Sequence, residues 1–230
     1  MTTAQDAGEL LARVRAELAP HADENRLIGR IADGSAPPGV LAALAAQQRR
    51  IIASDRRSFL LLAARCADSP GGAYFAELAA GETQALELLA PFAAACGLAD
   101  DAALRAQAPL PGCQAYPAYL AWLAVNGEPT GVVLALTANF AAWGGYCATV
   151  ADALRHRYGF GDRACAFFDF FAAPDPEADA RAIAVVAQAQ RQGQGQAEGQ
   201  GQADGDVLEY GRMLQGYELM FWNTLADLEP

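Results

Sequence analysis

Leu214-Gln215-Gly216-Tyr217-Glu218-Leu219-Met220-Phe221-Trp222-Asn223-Thr224-Leu225 is the stretch that decides the fold class. Leu214, Glu218, Phe221, Trp222 and Leu225 fall at i, i+4, i+7, i+8 and i+11, which is one face of an α-helix and not the alternation of a strand. That face is apolar except for Glu218. A carboxylate so placed loses hydration, and its pKa rises unless donors compensate, which suits a general acid or base. The structural alternative is a glutamate paired to an arginine or a tyrosine hydroxyl.

The same period runs outward along the chain. Leu10, Leu11, Val14 and Leu18 mark a first helix that Pro20 ends. Pro37 and Pro38 open a long helix whose Leu41, Leu44, Gln48, Ile51, Ile52, Asp55, Phe59 and Leu62 share a face. Further helices are predicted over 73–96, closed by Gly97 at a left-handed cap, then, after a turn at Pro109–Gly112, in the two uncharged segments 106–127 and 129–151, and over 162–172, 177–191 and about 207–228. The expectation is an all-α chain, a single helical domain over 1–230. Gly and Gln alternate from Gln192 onward, which predicts a flexible loop at 192–206.

Composition narrows the function. The 230 residues are 53% hydrophobic and 19% charged, with a net charge of −11, so a phosphate backbone is repelled and no nucleic-acid partner is expected. Residues 106–127 and 129–151 carry no charge and are long enough to cross a bilayer. Their Pro, Gly, Gln and Asn interruptions and missing basic flanks argue for buried helices, so no membrane partner is expected either. Met1–Ala19 lacks the basic start and apolar core of a signal peptide, and five cysteines without a C-x-x-C pair fit reduced thiols; both point to a cytoplasmic location. Two histidines are too few for most metal centres, and no nucleotide, acyl-transfer or zinc-hydrolase motif occurs. No metal and no cofactor are expected.

Chemistry must therefore reside in polar residues on apolar faces. Gln48 and Asp55 stand at i and i+7 on the long helix; the alternative for Asp55 is an ion pair with Arg56 or another arginine. Asn139, Trp143 and Tyr146 stand at i, i+4 and i+7, giving one face an amide, an indole and a phenol. Tyr116, Tyr119 and Trp122, spaced by three, add aromatic wall with polar tips, and Trp222 accompanies Glu218. Aromatic stripes are commonly core. A shared pocket for a flat, hydrogen-bonding small molecule explains all four helices at once.

Several segments resemble one family in chain order. Gly216-Tyr217-Glu218-Leu219-Met220-Phe221-Trp222 resembles the Y-E-x-x-F-W closing helix of the TenA/thiaminase II family. Ile31-Ala32-Asp33-Gly34-Ser35 with Pro37 and Gln47-Gln48 resembles its G-D-G-[ST]-x-P…L-Q-D stretch. Ala115-Tyr116-Pro117-Ala118-Tyr119-Leu120 resembles its A-Y-x-x-x-L segment, and Trp143 with Tyr146 its C-x-W-x-Y helix. The resemblance implies a haem-oxygenase-like multi-helix bundle, a homo-oligomer, and hydrolysis of aminopyrimidines in thiamin salvage without metal or haem. Glu218 is then the acid/base, with Tyr116, Gln48, Asp55, Asn139, Trp143, Tyr146 and Trp222 around the substrate.

Departures from the family pattern bear on the chemistry. The nucleophilic Cys of the family lies two before the Trp, where this chain has Ala141, or Ala142 if the frame slips by one. Cys147 is six residues from the first of these and rotated well over a right angle on the helix, so it is a poor substitute. The family's carboxylate for the ring nitrogen and amine corresponds to Gln48, and its early H-P-F reads Asn25-Arg26-Leu27. Three readings follow: a TenA-like aminopyrimidine hydrolase in which Glu218 activates water directly; a binding or regulatory protein that keeps the pocket without the chemistry; and, last, a cofactor-independent oxidase resembling the quinone-forming PqqC branch, which relies on pocket His and Arg.

Overall fold

Prolines start the long helices. In the computed structural model, which describes residues 4–19, 21, 24–192 and 200–228, the chain forms ten helices among the described residues: α1 (Ala4–Glu17), α2 (Arg26–Ala32), α3 (Pro38–Arg65), α4 (Pro70–Ala95), α5 (Asp101–Ala106), α6 (Pro111–Asn126), α7 (Pro129–His156), α8 (Asp162–Ala172), α9 (Ala178–Gln192) and α10 (Gln200–Ala226). Pro38, Pro70, Pro111 and Pro129 sit in the first turn of α3, α4, α6 and α7, where a missing N–H costs no hydrogen bond. The side chains of Asn25, Asp100 and Glu128 accept from the backbone N–H of Ile28, Ala103 and Gly131 and cap α2, α5 and α7. Gly97 ends α4 with a φ of +85°, the left-handed conformation expected of it.

The all-α expectation holds, and no strand occurs among the described residues. Two short helices, α2 and α5, went unpredicted, since neither is long enough for its period to be read. The loop expected at 192–206 is corrected in part: α10 begins at Gln200, seven residues before the apolar pattern starts. Once the packed part of a helix has formed, adding residues such as Gln and Ala to its end costs little, because nucleation has already happened. Residues 193–199 of that predicted loop lie outside the described residues.

Six helices close a ring in the order α3, α4, α8, α7, α10, α6 and back to α3, each packed on the next. α1 and α9 pair with each other over the outside of α7, and α2 lies against α7 and α10. Side chains tie the ring at its joints. Gln47 donates to the Ala108 carbonyl at 2.9 Å and accepts from Leu110 N–H at 3.2 Å, which fixes the start of α6 against α3. The Arg65 guanidinium donates to the carbonyls of Ala124 (2.7 Å) and Gly127 (3.0 Å) at the other end of α6. Arg155 of α7 forks to Asp162 and Asp169 of α8 at 2.8 and 2.6 Å.

By length and composition α7 is able to cross a membrane, yet 56% of its most apolar window is buried within the fold. Its apolar residues are used by neighbouring helices. Leu41, Leu44, Phe59, Leu62, Phe92, Phe167, Phe168, Phe221 and Trp222 are each at most 2% exposed and fill the space inside the ring.

Candidate functional site

The ring encloses a cavity of about 50 Å³ to which all six helices contribute. α3 supplies Gln48, Ile51, Ile52 and Asp55; α4 supplies Glu82; α6 supplies Tyr116. Asn139, Phe140 and Trp143 come from α7, Phe167 and Phe171 from α8, and Glu218 and Phe221 from α10. The helical periods explain this convergence. Gln48 and Asp55 lie two turns apart on α3, and Asn139 and Trp143 one turn apart on α7, so each pair projects from one side.

Glu218 is 5% exposed and meets no arginine. Its Oε2 accepts from Asn139 Nδ2 at 2.6 Å and its Oε1 from Trp222 Nε1 at 3.2 Å. Asn139 Oδ1 in turn accepts from the Tyr116 hydroxyl at 3.1 Å. The result is a buried relay, Tyr116 to Asn139 to Glu218, in which each donor fixes the orientation of the next group. Burial pushes the Glu218 carboxyl up to about 7, against the opposing pull of the bonds from Trp222 and Asn139. Near neutral pH the group therefore exists in both protonation states.

Asp55 is 5% exposed, with its Oδ1 buried and without a hydrogen-bond partner. The expected alternative of a pair with Arg56 does not occur, because Arg56 Nε donates to Thr83 Oγ1 at 2.9 Å instead. Desolvation, and then the charge of Glu82, hold Asp55 well above the usual carboxylate range. Glu82 is half-buried and is pushed up to about 8 by burial. It is the residue sequence reasoning missed. Gly81-Glu82-Thr83-Gln84 reads as a solvated face, and only the packing of α4 on α3 brings Glu82 inside.

Tyr146 and Trp222 are not among the residues that line the inner cavity. Trp222 is fully buried and acts through its indole N–H on Glu218. Tyr146 packs edge-on against Trp222 at 5.8 Å and borders a separate cleft, which also touches Glu218 from outside the ring. The aromatic wall predicted on α6 is likewise reduced to Tyr116. A spacing of three drifts around a helix, so Tyr119 leaves the cavity and stacks on Trp122, which is 50% exposed. Ala141 is exposed and is not among the residues that line this cavity. The α7 residue that meets the carboxylate is Asn139, four before Trp143. Cys147 is fully buried, its thiol pushed far up by desolvation, and no cysteine lines the cavity among the described residues.

A second, larger cavity of about 760 Å³ lies beside the first, bounded by α4, α7, the end of α8, and the α1 and α9 pair. Glu82, Phe140, Trp143 and Phe171 border both, so they form the wall between them. Arg15 closes the far side, held by Asp179 at 2.5 and 2.7 Å. Among the described residues no group of three His, Cys, Asp or Glu side chains is arranged to hold a metal ion.

Fold and cavity together define an all-helical protein of the haem-oxygenase-like class, with a small acidic and aromatic chamber inside a ring of helices. The model of the TENA/THI-4/PQQC family matches residues 25–192, and the chain belongs to that family. Among solved structures, a TenA homologue from Pseudomonas syringae pv. tomato superposes with a TM-score of 0.73 at 13% identity, covering 97% of this chain and 92% of that one. A TenA homologue from P. horikoshii gives 0.66 at 14% identity, with 96% of each chain covered. A protein described as a TenA family transcription regulator from Silicibacter sp. TM1040 gives 0.69 at 15% identity, over 95% of this chain and 97% of that one. No curated protein matches the sequence.

Proposed function

We propose that the inner cavity binds an aminopyrimidine-type small molecule and that Glu218 is the acid/base acting on it. The observation that carries this reading is the buried Tyr116–Asn139–Glu218 relay, which ends in a carboxyl poised near 7 among aromatic side chains. Phe140, Trp143 and Phe171 contribute aromatic lining, and the polar atoms offer acceptors and donors. In the hydrolytic step, water attacks the carbon that bears the leaving amine. Glu218 takes the water proton as the new C–O bond forms and returns it to the amine as the C–N bond breaks. Family membership supports this class of chemistry, with a cytoplasmic setting and thiamin salvage as its expected context.

A second reading has a specific observation behind it. The α7 group that faces Glu218 is the amide of Asn139, which cannot act as a covalent nucleophile, so a protein that binds the same ligand without turning it over is also consistent with the site. Titration with aminopyrimidines, followed by assay for released amine, separates the two. Glu218→Gln is expected to lower amine release by about 10²-fold or more. Saturable binding without any amine release from the native chain supports the binding protein instead, and absence of binding by every aminopyrimidine tried removes both.

A further inference from the structure

Glu218 has two sides. It lines the inner cavity, and it also borders the cleft of about 240 Å³ on the outside of the helix ring, the one residue common to both linings among the described residues. Glu17 and Leu18 at the end of α1, then Ala19, His21 and Glu24, form one bank of this cleft; the other is the flank of α10 on which Gln215 stands one turn before Glu218. Its rim is exposed and polar, with Glu17 and Arg212 paired at 3.6 Å. Tyr146 of α7 is half-buried in the cleft wall and rests edge-on against Trp222, whose indole N–H holds Glu218. Burial pushes the Tyr146 phenol up, and the charges of Glu218 inside and Glu24 outside push the same way, so the hydroxyl stands within electrostatic reach of both.

We propose that this cleft is the solvent port of Glu218, and that Tyr146 passes protons between the carboxyl and water standing in the cleft, so that Glu218 exchanges its proton with bulk solvent from outside the helix ring. The inner cavity does not provide such a route during binding. At about 50 Å³ it admits a few waters while empty, and any ligand displaces them. The exposed carboxylate of Glu24 and the ion pair of Glu17 with Arg212 give water in the cleft the polar partners it needs. The step moves a proton only. The Glu218 carboxyl gives its proton through a cleft water to the phenol oxygen as the phenol proton leaves to water on the Glu24 side, and the reverse transfer recharges the carboxyl. Tyr146 ends as it began, and no bond between heavy atoms forms or breaks. This assigns a role to a residue that the spacing of α7 singled out and that the inner cavity leaves unused.

The inference goes beyond the aminopyrimidine reading and does not rest on it, since its test uses no ligand. The probe is the Trp222 indole N–H, which bonds Glu218 and belongs to a fully buried side chain. Its exchange is followed by NMR after transfer of the isotope-labelled full chain into heavy water. Corrected for intrinsic rates, its protection is expected to be at least about tenfold below that of the Leu136 and Val150 backbone N–H groups of α7, which exchange only through larger openings. Gln215→Phe, which fills the cleft, and Tyr146→Phe, which keeps the ring and removes the hydroxyl, are each expected to slow Trp222 exchange at least about threefold. Gly145→Leu, in the outer cavity where a Cβ meets nothing within 4 Å, is expected to leave it within about twofold. Slowing is the discriminating sign, because a change that merely loosens the packing speeds exchange. Should Gln215→Phe fail to fold, Gly216→Leu takes its place, at a cleft position where a Cβ also meets nothing within 4 Å. Protection equal to that of the core amides, unchanged or faster exchange in the cleft-filling variant or in Tyr146→Phe, or equal slowing by Gly145→Leu overturns the proposal. Aminopyrimidine turnover with core-like protection of Trp222 removes the port and leaves the proposed function; cleft-dependent exchange without aminopyrimidine binding does the reverse.

Discussion

Asn139 links the two ends of the relay, accepting from Tyr116 and donating to Glu218, and so sets the proton affinity of the carboxyl. Asn139→Leu removes the shorter of the two bonds to Glu218, 2.6 Å against 3.2 Å, and leaves only the Trp222 indole, so the carboxyl is expected to move above about 7. The acid limb of any Glu218-dependent turnover then shifts to higher pH, read from the pH dependence of kcat/KM. The same change strands the buried Tyr116 hydroxyl and is expected to cost about 1–3 kcal/mol in denaturant unfolding. An unaltered pH profile would show that Asn139 is only a packing residue. From the sequence, the apolar face of α10 already singled out Glu218, and the spacing of α7 singled out Asn139. What spacing withheld is which partner each one meets, because that depends on the rotation of α7 relative to α10. Ala141, the position that the family resemblance aligns with the nucleophilic Cys, borders the outer cavity instead.

At the level of elements, close helix approach is set by a few glycines. A Cβ at Gly72 in the first turn of α4 would stand 2.6 Å from the Cys66 carbonyl at the end of α3, a backbone atom that cannot rotate away. Gly72→Ala is expected to destabilise the chain by about 1–3 kcal/mol, measured by chemical unfolding, despite the better helix propensity of Ala. At Gly211 of α10 the clash is with the tip of the Leu18 side chain, so Gly211→Ala is expected to cost less, since a rotamer change relieves it. If the two variants unfold alike, backbone contact is not what governs the α3–α4 junction. Helix type and order were legible because long periodic segments bury one face. Glu82 was illegible because its burial is a property of the α3–α4 pair. The α10 start at Gln200 was hidden by composition, since Gly and Gln carry no period at all.

For the whole molecule, the three carboxyls that line the inner cavity share one direction of shift. Asp55, Glu82 and Glu218 all have folded pKa values above their unfolded ones, so the native state holds more protons than the unfolded chain between those limits. Their stabilising contribution is complete below the unfolded values and is lost as pH rises through the folded ones. The Tm of the ligand-free chain is therefore expected to fall between about pH 5 and 8, and Glu82→Gln to flatten that slope; a Tm that rises over this window contradicts the assignment. The outer surface carries a different signal. Trp122 and Val125 of α6 and Met213 and Met220 of α10 are exposed, and α6 and α10 meet where Tyr119 touches Tyr217 at 5.4 Å. We expect this strip to mediate self-association, with Trp122→Glu lowering the mass seen in sedimentation; an unchanged native mass places the contact elsewhere. The unpaired carboxyls have one more consequence, for electrophoresis. The formal charge of −11 counts all three as ionised, yet the fold raises the proton affinity of each above that of the unfolded chain, so near neutral pH the native protein is the less negative of the two forms. In a gel with a transverse urea gradient, the folded form should run ahead of the unfolded one by less than its compactness alone predicts.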